Sequence, residues 1–216
     1  MTYKSSLPQV ALGMVNRLRR RHLLDGVRLS FHRSDSGLEV VRVDDKTLEE
    51  FLYENTGMVL YLHGIKPAKE SWHQINGLSR PIYNAVTIEL CKYLPYLPFF
   101  DKNQLYRSLG IKIGRNTTIA PRVQFDYFHP ELIEIGDNCI IGDGARIWTH
   151  DYGPDYFMVG KVVIGNNVLV GSESVIWPST IGNNVRINFG AFVYGMTVPA
   201  NATVLGRERS RYEVDK

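Results

Sequence analysis

The sequence predicts a mainly β protein whose second half is a parallel β-helix. The first observation is a repeat: the tetrapeptide Ile-Gly-x-Asn occurs four times, beginning at Ile113, Ile135, Ile164 and Ile181. The second is that an apolar residue returns every six positions between these repeats, as at Ile135, Ile141 and Ile147. Six is a multiple of the two-residue period of a strand and fits the 3.6-residue period of a helix poorly. The segment is therefore an internal repeat of strands.

Three six-residue repeats make a nominal triangular coil of 18 residues, with the apolar side chains on its axis. The fifth position of most repeats is small or β-branched, as expected for side chains that also face a narrow interior: Thr117, Val123, Cys139, Ala145, Val168, Ser174, Val185, Ala191, Thr197. Glycine and asparagine recur between the apolar positions, and both types tolerate the backbone angles of tight corners. We expect four to five coils.

The spacing between the tetrapeptides locates two interruptions. Successive tetrapeptides begin 22, 29 and 17 residues apart, against the nominal 18 of one coil. Two loops are therefore expected to leave the β-helix, a short one over residues 127–134 and a longer one over residues 153–163. Since the wall of a β-helix is monotonous, such loops are where a specific site can be built.

Before residue 110 the pattern is irregular and mostly helical. Helices are predicted over residues 10–24, 67–75, 81–93 and 101–109, and strands over residues 37–43 and 58–63. Thr47 and Glu50 form a capping box for a further helix that ends near Gly57. We expect residues 1–80 to form an N-terminal α/β region, 81–110 a helical cap on the first coil, 111–206 the β-helix and 207–216 a C-terminal tail.

Composition excludes several classes of protein. A net charge of +3 is too small to indicate nucleic-acid binding. No apolar run approaches the roughly 20 residues that cross a bilayer, so membrane insertion is not expected. Cys91 and Cys139 are the only cysteines and cannot form a disulfide framework, which favours a cytoplasmic location.

From about residue 81 to residue 206 the chain resembles the hexapeptide-repeat acyltransferases, and within them the maltose and galactoside O-acetyltransferase branch. The repeats carry this resemblance, together with Thr149 and His150 just before the long loop. It implies a left-handed β-helix, a homotrimer with each active site between neighbouring subunits, acetyl-CoA as donor, and a sugar or other small hydroxyl compound as acceptor.

His150 is the predicted catalytic residue. It occupies the fourth position of the repeat that begins at Ile147, which points out of the coil, and the long loop follows it. Acyl transfer from a thioester needs a base that removes the proton of the acceptor hydroxyl. Imidazole has an unperturbed pKa of about 6.5 and is available as a neutral base near pH 7. Resemblance to the family gives His150 the same role.

Five residues are predicted to bind the acceptor: Asp126, Arg122, Tyr127, Trp148 and Tyr152. Asp126 either binds acceptor hydroxyls or orients the imidazole, since the family has an acidic residue near this point. Arg122 stands where relatives place an asparagine, which favours an acceptor that carries a carboxylate or phosphate. The three aromatic residues are expected to form apolar walls.

Seven residues are predicted to bind the acetyl-CoA co-substrate: Gly171, Ser172, Phe189, Gly190, Ala191, Arg207 and Arg209. The backbone N–H groups of Gly171 and Ser172 are candidates for stabilising the oxyanion of the tetrahedral intermediate. The arginines are candidates for binding CoA phosphates. Phe189 replaces a usually small residue and is expected to crowd the pantetheine arm.

Three alternatives accompany this prediction. A γ-type carbonic anhydrase needs three zinc-binding histidines, whereas only His129 and His150 follow Gly110, so no metal site is expected. His129 itself is interpreted as a solvated loop residue, with lining of the acceptor pocket of a neighbouring subunit as the alternative. The second alternative is a non-catalytic β-helix that serves assembly or binding, and the third keeps the chemistry with a longer acyl donor.

Overall fold

The computed structural model describes residues 7–21, 23, 28–33, 37–41, 58–65, 68–206 and 212–214. The helix predicted from the capping box at Thr47 and Glu50 lies outside these residues. The predicted phosphate-binding residues Arg207 and Arg209 also lie outside them.

The N-terminal half contains helices and antiparallel strands. Its elements are α1 (Leu7–Arg20), β1 (Arg28–Arg33), β2 (Gly37–Val41), β3 (Met58–His63), α2 (Ala68–Asn76), α3 (Ser79–Tyr93) and α4 (Asn103–Ser108). The four predicted helices that fall in the described residues are confirmed, with ends that differ by up to four residues, as are both predicted strands. Strand β1 was not predicted, although Leu29 and Phe31 alternate with polar residues in it.

The second half consists of short strands. They are β4 (Lys112–Ile113), β5 (Thr118–Ile119), β6 (Gln124–Phe125), β7 (Ile133–Ile135), β8 (Ile140–Ile141), β9 (Arg146–Ile147), β10 (His150–Tyr152), β11 (Tyr156–Gly160), β12 (Val162–Ile164), β13 (Leu169–Val170), β14 (Val175–Ile176), β15 (Ser179–Ile181), β16 (Arg186–Ile187), β17 (Phe192–Val193), β18 (Thr197–Val198), β19 (Ala202–Val204) and β20 (Tyr212–Val214).

Fourteen of these strands form a three-sided prism by parallel pairing. The first face has the order β4-β7-β12-β15-β18, the second β5-β8-β13-β16-β19, and the third β6-β9-β14-β17. Strand β20 adds to β19 in the antiparallel direction and covers that end of the second face. The predicted left-handed parallel β-helix, preceded by a mostly helical region, is confirmed.

The interior of the prism is built by the six-residue repeat. The apolar residues Ile119, Ile141 and Val170 stack in successive coils with no exposed surface. The small residues Cys139 and Ala145 are buried as well. The periodicity alone was therefore sufficient to assign the core of this half.

Each coil has three corners, which we name by the faces they join. The first corner, between the first and second faces, contains asparagines with left-handed backbone angles, as at Asn138 with φ 57°. The second corner, between the second and third faces, has left-handed angles at Arg122, Gly144, Glu173 and Gly190. The third corner joins the third face to the first at residues 126–128, 148–150, 177–179 and 194–196.

The glycines of the repeat have a different role from the one predicted. Gly171 is not among the residues with positive φ. A Cβ atom at this position would lie 2.6 Å from the backbone N of Phe189 and 2.7 Å from the carbonyl oxygen of Ile187, in the next coil. Close approach of successive coils, and not a left-handed angle, therefore requires glycine here.

Helix α4 and the preceding loop cover the open end of the first coil, as predicted. The Tyr106 ring covers the end of the prism interior by packing edge-on against Phe125, with ring centroids 4.9 Å apart. Asn103 Nδ2 donates to the Thr117 carbonyl at 2.8 Å. The Ile119 N–H donates to the Tyr96 hydroxyl at 2.7 Å. These bonds satisfy backbone groups that would otherwise form a free edge.

The long loop is a β-hairpin, which sequence analysis did not predict. Strands β10 and β11 pair in the antiparallel direction, and β11 pairs with β3 of the N-terminal half. The resulting sheet has the order β10-β11-β3-β1-β2. The N-terminal region is thus joined to the β-helix through the loop that begins at His150.

A second hydrophobic core lies on one face of this sheet. Helix α1 contributes Met14 and Val15, strand β3 contributes Leu60 and Leu62, and strand β11 contributes Phe157. All five side chains have no exposed surface. Among the described residues, no helix is long and apolar enough to cross a membrane.

Candidate active site

His150 lies where the chain leaves the third corner and enters the hairpin. It is the first residue of β10, an edge strand of the five-stranded sheet. Its side chain is 14% exposed. The predicted catalytic residue is therefore within the long loop and not just before it. Its ring keeps limited contact with solvent.

Asp126 holds the imidazole from within the protein. Its Oδ2 lies 2.5 Å from His150 Nδ1 and also accepts the backbone N–H groups of Thr149 and His150 at 2.8 and 3.1 Å. Its Oδ1 accepts the N–H groups of Phe128 and His129 at 2.8 and 3.0 Å. The carboxylate has no exposed surface, and both its oxygens accept hydrogen bonds within the protein. Of the two predicted roles, this geometry fits orientation of the imidazole and not contact with the acceptor.

The charge state of Asp126 fixes the tautomer of His150. Burial by itself raises the pKa of Asp126, but the nearby His150 and His129 and the backbone N–H donors outweigh it, and the net pKa lies well below the ordinary value. The ionised carboxylate accepts only, so the proton of the neutral imidazole is on Nδ1. The lone pair is then on Nε2, where a general base needs it.

Aromatic rings surround the imidazole on several sides. Phe128 meets it edge-on with centroids 4.5 Å apart, and Phe157 is stacked on it at 5.9 Å. Tyr152 and Trp148 meet it edge-on at 5.9 and 6.4 Å. Such packing restricts the rotamers of the imidazole and leaves it little contact with water.

The three aromatic residues predicted to bind the acceptor lie near His150. Tyr127 packs edge-on against Trp148 at 6.3 Å, and its hydroxyl donates to Glu89 at 2.9 Å. Phe128 and Phe157 were not predicted. Their side chains reach His150 only because the loop and the hairpin fold back on the corner.

His129 is buried, and its interpretation as a solvated loop residue was wrong. Its side chain is 5% exposed. Nε2 lies 2.8 Å from Asn76 Oδ1, and Nδ1 lies 3.2 Å from Glu131 Oε1. Asn76 belongs to α2, so the partner that buries His129 comes from a segment 53 residues earlier in the chain.

Arg122 lies on the second corner, away from the residues that surround His150. Its guanidinium forms ion pairs with Asp143 and with Glu173, the latter at 3.3 Å. Hydrogen bonding and attraction from Asp143 raise the pKa of Arg122. The expectation of an anionic acceptor rested on this cation, whose charge two carboxylates already offset.

The predicted co-substrate residues within the described chain also lie at the second corner. Gly171 and Ser172 occupy one coil, and Phe189, Gly190 and Ala191 occupy the next. The Gly171 N–H donates to the Ile187 carbonyl at 2.8 Å, so this group is not available for an oxyanion. Phe189 is 68% exposed. Of the two predicted oxyanion donors, the Ser172 amide remains.

The predicted residues thus form two groups at two corners of one prism. His150, Asp126, Tyr127, Trp148 and Tyr152 lie at the third corner, and the other group lies at the second. One face of the prism separates them, at most about 20 Å for six residues at roughly 3.3 Å each. Among the described residues, no three His, Cys, Asp or Glu side chains form a group that could hold a metal ion.

Comparison with known proteins identifies the family. The chain is 42% identical over 139 residues to "Putative acetyltransferase SAR0816" of Staphylococcus aureus strain MRSA252, covering 62% of this chain and 84% of that protein. It is 34% identical over 148 residues to "Putative acetyltransferase YvoF" of Bacillus subtilis strain 168, covering 67% of this chain and 84% of that protein. The chain belongs to the hexapeptide-repeat acetyltransferases.

A solved structure agrees with this hexapeptide-repeat acetyltransferase in fold. The crystal structure of a maltose O-acetyltransferase from Clostridium difficile 630 matches with a TM-score of 0.52 and 19% identity, covering 69% of this chain and 92% of that chain. No protein-family model matches the chain. The predicted family and the predicted acyltransferase class are confirmed.

Proposed function

We propose that this hexapeptide-repeat acetyltransferase transfers an acetyl group from acetyl-CoA to a hydroxyl group of a sugar or other small molecule, with His150 as the general base. The observation that carries the proposal is the pair formed by His150 and Asp126. A fully buried carboxylate bonded to Nδ1 leaves Nε2 as the basic atom of the ring. The proposed reaction needs a base of this kind.

The reaction proceeds by addition and elimination. The acceptor oxygen attacks the carbonyl carbon of the thioester while Nε2 of His150 takes its proton. The tetrahedral intermediate then expels the CoA thiolate, to which the imidazolium returns the proton, and the products are the O-acetyl ester and CoA. The carboxylate of Asp126 stabilises the imidazolium between these two steps.

The oxyanion of the intermediate needs a donor that is already in place. We propose the backbone N–H of Ser172, because the neighbouring Gly171 N–H is bonded to Ile187. Ser172 lies at the second corner and His150 at the third, so a donor and a base from the same subunit are separated by a face of the prism. A base from one subunit and a donor from its neighbour resolve this separation.

A homotrimer is therefore part of the proposal. Helix α3 and the residue before it support the trimer with an exposed apolar stripe at intervals of four residues: Leu78, Ile82, Val86 and Leu90, between 52% and 64% exposed. Contiguous apolar surface of this kind usually lies in a subunit interface. In a three-fold ring every interface joins two different surfaces, so a second corner of one prism can lie opposite a third corner of the next.

The acceptor is proposed to be a neutral hydroxyl compound. Phe128, Trp148 and Tyr152 surround the base with apolar surface. Arg122, from which an anionic acceptor was expected, is bonded to two carboxylates. A ring-shaped molecule such as a sugar combines apolar faces with the hydroxyl that the reaction needs.

A cytoplasmic location is proposed from the cysteines. Cys91 and Cys139 are both free and buried. Free buried thiols persist in a reducing compartment, which is also where acetyl-CoA is available.

Mass spectrometry of the purified protein with acetyl-CoA and a panel of sugars and small alcohols tests the proposal. We expect free CoA together with an acceptor heavier by one acetyl group. Free CoA without an acetylated product contradicts acetyl transfer to a hydroxyl. If a product forms only with longer acyl-CoA thioesters, the donor is one of these and not acetyl-CoA. If no donor gives a product, the non-catalytic alternative is favoured.

A further inference from the structure

Asn76 is the last residue of α2 and lies behind the catalytic corner. It is 8% exposed. Its Nδ2 donates to the Trp72 carbonyl and to the Tyr152 hydroxyl, both at 3.0 Å. Its Oδ1 lies 2.8 Å from His129 Nε2. One buried amide therefore connects the N-terminal half with both excursions from the β-helix.

The orientation of this amide is fixed by its surroundings. The Trp72 carbonyl only accepts, so the amide nitrogen must face it and the amide oxygen must face His129. His129 Nε2 then donates to Asn76. The three hydrogen bonds allow the Asn76 side chain only one orientation. We call this amide the node, and its hydrogen bonds to His129 and Tyr152 the first and second arms.

The first arm of the node reaches Asp126 through His129. The His129 N–H donates to Asp126 Oδ1 at 3.0 Å, and the His129 carbonyl accepts the Thr149 hydroxyl at 3.2 Å. Thr149 itself donates its N–H to Asp126 Oδ2 at 2.8 Å. Movement of His129 would therefore displace donors of both carboxylate oxygens.

The second arm reaches His150 through Tyr152. The phenol of Tyr152 is hydrogen-bonded by Asn76 and by Ser71, both on α2. Its ring lies edge-on to His150 at 5.9 Å and is tilted against Phe157 at 4.6 Å. Holding the phenol fixes the ring that packs beside the imidazole.

Helix α2 is itself held at this end. Arg17 of α1 donates from Nε to the Ile75 carbonyl at 2.7 Å. A cation at the carboxyl end of a helix also stabilises the helix dipole. The end of α2 that carries Asn76 is thus a fixed point and not a frayed terminus.

We infer that Asn76 is a positioning residue for acetyl transfer, which orients the His150–Asp126 pair through His129 and Tyr152. This inference rests on the proposed function. It also assigns a role to part of the N-terminal region: α2 completes the rear wall of the active site.

The test replaces Asn76 with leucine, which has a similar size and makes no hydrogen bonds. We expect the kcat of Asn76→Leu to fall roughly 10- to 100-fold, as for other losses of active-site orientation, with the KM for acetyl-CoA unchanged. Gln74→Leu, on the same helix, is the matched control and should keep wild-type kcat. A kcat for Asn76→Leu within twofold of the wild type would overturn the inference.

Nitrogen-15 NMR of the histidine rings adds a readout that does not depend on turnover. The wild-type signal of His150 should show the proton on Nδ1, and Asn76→Leu should show a mixture of tautomers. An unchanged His150 signal in the variant contradicts the positioning role even if kcat falls. If Asn76→Leu does not fold, Tyr152→Phe removes the second arm alone and should lower kcat, and wild-type kcat in that variant overturns the inference.

The same assays separate this inference from the proposed function. If the His150→Ala variant still transfers acetyl groups, the proposed function is contradicted. If His150→Ala is inactive and Asn76→Leu is fully active, only the role inferred for Asn76 is contradicted.

Discussion

The hydroxyl oxygens of Tyr61 and Tyr194 lie 2.9 Å apart and join strand β3 to the last coils of the β-helix. The two residues are separated by 133 positions in the sequence. Tyr194 also packs against Trp177 at 5.8 Å. The N-terminal sheet is therefore held to the prism by this contact in addition to the pairing of β3 with β11.

Replacing Tyr61 with phenylalanine should lower the free energy of unfolding by about 1 kcal/mol at pH 7, the usual value of one hydrogen bond. Burial, followed by the bond to Tyr194, raises the pKa of Tyr61 above its ordinary value of 10.0. The neutral phenol thus contributes stability that is present below pH 10 and is lost as the pH rises beyond it. Urea unfolding from pH 7 to 11 should show a flatter decline for Tyr61→Phe. Tyr83→Phe, on the exposed side of α3, is the control, and equal behaviour of the two variants would contradict this prediction.

Activity should depend on Asp126 as well as on His150. His150→Ala should lower kcat by roughly 10²- to 10⁴-fold, the range for a positioned base. Asp126→Asn keeps the size of the side chain but removes the charge that fixes the tautomer, so we expect a loss of roughly 10²-fold or more. The double variant should be no less active than His150→Ala alone, because the two residues act as a unit. Steady-state kinetics checks this, with His73→Ala as control; losses that multiply would show independent roles.

Stability in acid should depend on Asp126. Its pKa in the folded protein lies below the ordinary value of 3.8. The ionised carboxylate therefore contributes stability that is present above about pH 4 and is lost as the pH falls below it. Thermal unfolding between pH 6 and 3 should show a shallower decline for Asp126→Asn than for the wild type. Asp155→Asn, on the exposed turn of the hairpin, should follow the wild type, and parallel curves for all three proteins would be the contrary result.

Two glycine substitutions should have opposite effects. Gly171→Ala places a Cβ atom 2.6 Å from backbone atoms of the next coil and should destabilise the protein by roughly 1–3 kcal/mol. At Gly13 of α1 the nearest atom to an added Cβ is 3.5 Å away, on the Arg17 side chain. Gly13→Ala should therefore stabilise the helix by about 0.5–1 kcal/mol. Denaturant titration of both variants measures the signs, and a stable Gly171→Ala protein would show that the coils can separate.

The proposed trimer predicts a mass in solution about three times 24.6 kDa. Val86 and Leu90 are 57% and 64% exposed on a single chain. Charged residues at these positions, as in Val86→Glu with Leu90→Glu, should lower the mass by making the interface polar. Sedimentation equilibrium measures it, with Gln104→Glu on the exposed side of α4 as the control. A wild-type protein that sediments as a monomer contradicts the proposed assembly.

The β-helix was predictable because its determinants are local. A buried residue at every sixth position, such as Ile135, Ile141 and Ile147, has the same neighbours in each coil whatever the rest of the chain does. Asparagine at the first corner follows from backbone angles of single residues, such as φ 58° at Asn184. The long interruption of the repeat near His150 was visible for the same reason, whereas the hairpin that begins at His150 was not.

Contacts between distant segments were not predictable in this way. The pairing of β3 with β11 joins residues about 100 positions apart. No local pattern encodes it, because its strands become adjacent only when the hairpin packs on α1 and α2. Burial of His129 against Asn76 depends on the same kind of packing, and it was misjudged from the sequence.

The sequence by itself determined the six-residue period, the interior of the prism and the place where the long loop interrupts the repeat. The tertiary structure decided how the His150 imidazole is held: Asp126 is fully buried beneath it, and Asn76 of the other half of the chain is bonded to His129 and Tyr152 beside it. The physical reason is that side-chain alternation along a strand is set by neighbouring residues. The partners of a buried polar group, by contrast, are set by whichever segments fold against it.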